Sequence, residues 1–207
     1  MIDVAALNVQ EIEWNFERWF LLAGAPRDEN WYYSANGMIA EVAEFFGLKK
    51  RIVAGIVAAL SPFTKWNWLT KAGMKYPNLD NAIAVIYGFQ AGHSIDRIKA
   101  RVTSFPQNVD KAIAILQTGK VYPIVKGNKT FAFFANIMRP WSNWFVTIDI
   151  WMHRAALNDM SLYKRESTKL TPKYGLFREA LTNLADRYCL QGHVVQAAIW
   201  KAIRNKK

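Results

Sequence analysis

The run Phe145-Val146-Thr147-Ile148-Asp149-Ile150-Trp151-Met152-His153-Arg154-Ala155-Ala156-Leu157 passes from extended chain to helix across a single acidic residue. Phe145 to Ile148 is β-branched and apolar, and Ile150 to Leu157 carries an apolar helical pattern. Nothing else in the chain alternates apolar and polar residues in a way that could pair with Phe145–Ile148. An extended run with no partner strand is a connector, so the core must be built from helices. The predicted class is all-α: a two-lobed bundle of about ten helices.

Helical periodicity continues in both directions. Ile12, Phe16, Trp19 and Phe20 mark a helix starting after Asn8, and a second runs from about Trp31 to Phe46 with Gly47 as its stop. Arg51 to Leu60 is a third, ending before Ser61-Pro62; residues 67–91 hold two more, broken at Tyr76-Pro77. Asn108 reads as the cap of a helix through Leu116, closed by Gly119; residues 120–128 form a turn region, and Thr130 to Ile137 is helical. From Thr171 to Arg204 two helices meet at Gln191-Gly192. No linker or repeat interrupts the 207 residues, so one domain spans 1–207, with the helices of 1–47 and 171–204 expected to pack together as a second lobe.

Composition limits the function. With 52% hydrophobic and 14% aromatic residues the chain is neither disordered nor fibrous. The single Cys189 excludes a disulfide framework, a cysteine zinc site and a four-cysteine iron–sulfur cluster, and three histidines make a histidine-rich metal site improbable. No apolar run is long enough to span a bilayer, so the expected location is the cytoplasm, with no membrane partner. The net charge of +11 is uneven: −6 over residues 1–47, +10 over 48–138 and +7 over 139–207. A polyanion is the natural partner of such a surface, although a basic balance also serves solubility alone.

Three segments could carry chemistry. Leu60-Ser61-Pro62-Phe63-Thr64-Lys65-Trp66-Asn67-Trp68-Leu69-Thr70-Lys71-Ala72 places a polar and aromatic loop after a Ser-Pro break, suited to wedging into a base stack or holding an extruded base. Phe63, Trp66 and Trp68 also fit core positions at a helix joint. Lys126-Gly127-Asn128-Lys129-Thr130 runs a glycine turn into a helix start, where amides and lysines can hold one phosphate. Asp149 sits between two apolar runs, so partial burial is expected; one reading is a helix cap and nothing more, and the other adds a chemical role, which capping permits because it fixes the direction of the carboxylate.

Taken in order, these segments resemble the helix-hairpin-helix DNA glycosylases, the superfamily of endonuclease III and 8-oxoguanine glycosylase. The carrying residues are Leu60-Ser61 to Lys71-Ala72, Gly127-Asn128-Lys129-Thr130, and Val146-Thr147-Ile148-Asp149 with Met152, His153 and Arg154, and the likeness covers about residues 50–160. Short phage and actinobacterial proteins are similar as well. Val125 stands where the family hairpin has its first glycine, and Trp151 where the family has a histidine two places after its aspartate.

The resemblance implies excision of a damaged or modified base from double-stranded DNA by a monomeric enzyme. The base is rotated out of the duplex, and the bond to the sugar breaks through an oxocarbenium-like transition state. Asp149 falls at the position of the aspartate that stabilises the sugar cation. Lys129 falls at the position of the lysine that, in members with lyase activity, attacks C1′ and forms a Schiff base; the alternative for Lys129 is a phosphate contact. Lys126, Gly127, Asn128, Thr130, Lys65 and Lys71 would track the DNA backbone. Phe63, Trp66, Asn67, Trp68, Trp151 and His153 are the candidates for base pocket or wedge. The resemblance implies no iron–sulfur cluster or other cofactor, beyond a monovalent cation at the hairpin. Two other outcomes stay open: a non-catalytic DNA-binding protein of the same fold, and a base-modifying enzyme using the same base-out geometry.

Overall fold

The computed structural model describes residues 6–24, 31–62 and 77–205. Among these residues the chain is all-helical, with eleven α-helices, one 3-10 turn and no strand. The helices are α1 (Val9–Leu22), α2 (Trp31–Phe45), α3 (Lys50–Leu60), α4 (Pro77–Gln90), α5 (Ile95–Lys99), α6 (Pro106–Thr118), α7 (Asn128–Met138), α8 (Ile150–Leu157), α9 (Lys164–Lys169), α10 (Tyr174–Arg187) and α11 (Gly192–Asn205), with the 3-10 turn at Thr171–Lys173. The chain divides into two compact units, one of residues 1–34 with 139–207 and the other of residues 35–138.

In the first unit, α1 packs against α8, α10 and α11, and α11 packs on both α8 and α10. Asn8 caps α1 by accepting the Glu11 amide at 2.8 Å, and the helix then turns Ile12, Phe16, Trp19 and Phe20 inward. They meet Val146, Ile148 and Met152 from the α8 region, Phe177, Leu181 and Leu184 from α10, and Val195, Ile199 and Ile203 from α11 in one apolar cluster. Asn15 donates from Nδ2 to the Ala156 carbonyl at 2.9 Å, tying α1 to the end of α8. Residues 35–47 belong to the second unit, and α8 and α9 join α10 and α11 in the first.

In the second unit α3 is the central element: Ile52 through Leu60 are buried without interruption, against α4, α6 and α7. A helix apolar on every side has to be surrounded. Gly55 permits the closest approach, since a Cβ there would lie 2.7 Å from a Val121 methyl. The start of α6 differs from the sequence expectation: Pro106 opens the helix with Phe105 at the cap, and Asn108 is a buried residue of the first turn whose Nδ2 donates to Ser104 Oγ at 3.5 Å. Proline has no amide to satisfy and its φ is already helical, so it takes the first position and Asn108 falls inside. The stop at Gly119 is as expected, with the glycine in the left-handed conformation.

Candidate functional site

Asp149 is positioned from both sides. Val146, Thr147 and Ile148 are buried, and the Tyr174 hydroxyl from α10 clamps the segment, donating to the Val146 carbonyl at 2.5 Å and accepting the Ile148 amide at 3.3 Å. Burial pushes the Tyr174 phenol up to about 12, which keeps this clamp a neutral donor at ordinary pH. Thr147 Oγ1 bonds the Tyr32 hydroxyl at 3.1 Å, and that hydroxyl also reaches Gln196 Oε1 at 3.3 Å. The extended chain ends at Asp149, whose φ of −115° and ψ of −174° place its side chain over the start of α8.

There Asp149 Oδ1 accepts the Trp151 amide at 2.9 Å and the Met152 amide at 3.0 Å. Its other oxygen accepts the Trp200 indole N–H from α11 at 3.2 Å. The residue is half-buried, and the three bonds fix the direction of its carboxylate. Around it lie two indoles covered by guanidinium groups. Arg154 lies 4.6 Å from the Trp151 ring centre, Arg204 lies 5.8 Å from the same ring, and Arg204 lies 4.2 Å from the Trp200 ring. Arg154 also donates through Nε and Nη2 to the Leu162 carbonyl, at 3.1 and 2.9 Å. No local signal in the sequence marks Trp200 and Arg204. They are a turn apart on α11, but nothing local links them to a carboxylate some fifty positions earlier.

The other expected residues are distributed differently. Trp151 adjoins Asp149, as described. His153 is turned into the core, where Nδ1 bonds Ser167 Oγ at 2.7 Å and the ring lies 4.8 Å from Phe177. A buried imidazole packed on phenylalanine is not placed to act as a wedge, so of the pocket and wedge roles expected for His153 only the pocket role is left.

Lys126, Gly127, Asn128 and Lys129 are exposed in the second unit, and Thr130 is half-buried. Gly127 takes a φ of 92°, which only glycine adopts without strain, and Asn128 and Lys129 follow as the first residues of α7. Val125 is buried beside Val121, so the residue in place of the first hairpin glycine serves as a core anchor. The carbonyls of Val121 and Ile124 accept amides within the turn, and the Gly127 carbonyl accepts the Phe131 amide in the first turn of α7. Phe63, Lys65, Trp66, Asn67, Trp68 and Lys71 lie outside the described residues.

A family model described as "Family of unknown function (DUF7178)" matches residues 6–207. The chain belongs to this family. No curated protein and no solved structure matches it. The DUF7178 match takes in every described helix, so the Asp149 site lies within the family's span.

What this DUF7178 chain can do at Asp149 follows from the donors around it. A carboxylate offers about four lone-pair directions. Three are used here, two on Oδ1 and one on Oδ2. The fourth direction, on Oδ2, has no hydrogen-bond donor among the described residues. Among the described residues no group of three or more His, Cys, Asp and Glu is placed to hold a metal ion, and no helix is long and apolar enough to cross a membrane.

Proposed function

We propose that the protein is a DNA glycosylase that removes a damaged or modified base from cytoplasmic DNA, acting as a monomer on double-stranded substrate with one nucleotide turned out of the helix. The observation that carries this reading is the Asp149 carboxylate, held by two helix amides and an indole with one lone-pair direction left on Oδ2. A carboxylate so fixed suits electrostatic stabilisation of positive charge at C1′, or orientation of the attacking water, because no reorganisation is needed as charge develops. The +11 net charge suits the polyanionic partner. Lys126, Asn128 and Lys129, exposed around the first turn of α7, suit contact with a backbone phosphate, since the helix start adds partial positive charge.

The test is single-turnover release of free base from duplexes that each carry one modified base, followed by chromatography. Wild-type protein should release base from at least one duplex, and Asp149→Asn should bind that duplex with unchanged affinity while releasing base at least about a hundredfold more slowly. Equal binding without release by either protein would make this a non-catalytic DNA-binding protein. The lyase step is separate: a covalent borohydride-trapped adduct on abasic DNA that disappears in Lys129→Ala assigns the Schiff base to that amine, while release without trapping leaves Lys129 as a phosphate contact.

A further inference from the structure

The segment between α7 and α8 carries two exposed indoles. Trp144 is 82% exposed and Trp141 62% exposed. Trp151 and Trp200 are capped by guanidinium groups and Trp19 is buried, but among the described residues no ring or cation stacks on Trp141 or Trp144. The loop that presents them is anchored at both ends. The buried His193 ring bonds the Pro140 carbonyl before it, and the Tyr174 clamp holds Val146 after it. Between the anchors, the Ser142 amide bonds the Arg139 carbonyl at 2.9 Å and the Trp144 amide bonds Ser142 Oγ at 3.4 Å, so the turn has its own internal support. Large exposed apolar rings on a supported loop mark a place where something binds.

The chemistry of the loop selects the occupant. Arg139 is exposed at its start, residues 139–148 contain no acidic side chain, and the unit that carries the loop, residues 1–34 with 139–207, holds fourteen basic residues against eleven acidic. Two flat rings in a positive setting match a partner that is negatively charged and presents flat aromatic faces. We propose that Trp141 and Trp144 form a stacking platform for unpaired bases of a nucleic-acid strand. Base-on-indole stacking is indifferent to sequence, and a basic surface adds phosphate attraction to it. Trp144 stands five positions before Asp149, so its Cα lies within about 18 Å of the Asp149 Cα. The proposal does not depend on the glycosylase reading, because a protein that cleaves nothing could still use such a platform.

The experiment is fluorescence anisotropy of a labelled eight-nucleotide oligothymidylate with the full chain, over a series of salt concentrations. It compares wild type with Trp141→Ala, Trp144→Ala and Trp144→Phe. Each alanine should weaken binding by about fivefold to a hundredfold, while phenylalanine retains most of the affinity. The slope of log affinity against log salt should match wild type in every variant, because no charge is removed. Both positions are exposed, so thermal unfolding should match wild type and exclude misfolding as the cause. Absence of oligothymidylate binding by wild type, or equal affinity in the alanine variants, would overturn the platform. So would a concentration-dependent self-association in sedimentation, or binding to anionic vesicles, that the alanine variants lose while oligothymidylate binding is unchanged. Loss of binding in Trp144→Ala together with no base release by wild type would sink the glycosylase reading and leave the platform standing.

Discussion

Replacing Asp149 by asparagine and by alanine separates the structural work of its carboxylate from the chemical work. Alanine removes all three acceptor contacts. The lost cap costs about 1 kcal/mol, within a range of about 0.5–2, and the lost indole bond about 1 more. Asparagine can keep its oxygen on the Trp151 and Met152 amides, so the cap survives, but its amide group then faces the Trp200 N–H donor to donor. That leaves Asp149→Asn destabilised by about 1 kcal/mol and Asp149→Ala by about 2. Urea unfolding followed by circular dichroism measures this order. Activity should follow a different order. If the charge stabilises the sugar cation, both variants lose base release by about a hundredfold to a thousandfold or more, although one is clearly more stable than the other. Base release by Asp149→Asn at the wild-type rate, with Asp149→Ala impaired only to the extent that it unfolds, would refute the reasoning and reduce Asp149 to a helix cap.

Three further outcomes test the surrounding fold. Tyr174→Phe removes the donor to Val146 and the acceptor for Ile148, so urea unfolding should show a loss of about 1–3 kcal/mol; the wild-type protein should also lose stability as pH climbs from about 10 towards 12, where the unfolded phenol ionises before the buried one. His193 is buried against Tyr32 and Tyr33, and burial lowers its pKa below 6.5, so the unfolded chain takes up its proton first. Stability should therefore be full above pH 6.5 and fall as pH drops below that value, a slope that His193→Gln should reduce in denaturant titrations. Cys189 holds a φ of 54° just past the end of α10, where Leu190 closes onto the Ala185 carbonyl at 2.9 Å; Cys189→Gly should relieve the left-handed strain and raise stability by about 0.5–1 kcal/mol in the same assay.

The helices that were legible in the sequence owe it to signals that act locally. Ile52 to Leu60 is apolar without a break, which marks a surrounded helix, and Asn8, Gly47 and Gly119 end or begin their helices where the sequence places them. α5 and α9 went unseen because helices of five and six residues complete too few turns to show a period. Asn108 misled because two helix-start preferences competed three positions apart, and the proline outranked the asparagine. For His153 the sequence offers a base pocket or a wedge, and packing decides between them, because its place on α8 turns it towards Phe177.

Asp149 shows where local signals stop. Its bonds to Trp151 and Met152 join neighbours two and three positions away, and any capping aspartate makes such bonds. A cap alone needs only one oxygen, which leaves the other to rotate among waters. The third donor changes this, because Trp200 reaches the second oxygen from another helix and fixes the plane of the carboxylate. That contact exists only because α11 packs on α8 through the core that Val195, Ile199 and Ile203 share with Met152. Trp200→Phe is therefore the sharper probe of orientation: it leaves the cap and the charge in place, so a structural aspartate would be indifferent to it. A catalytic one should lose base release, by roughly tenfold for each 1.4 kcal/mol of misplaced stabilisation, with DNA affinity unchanged.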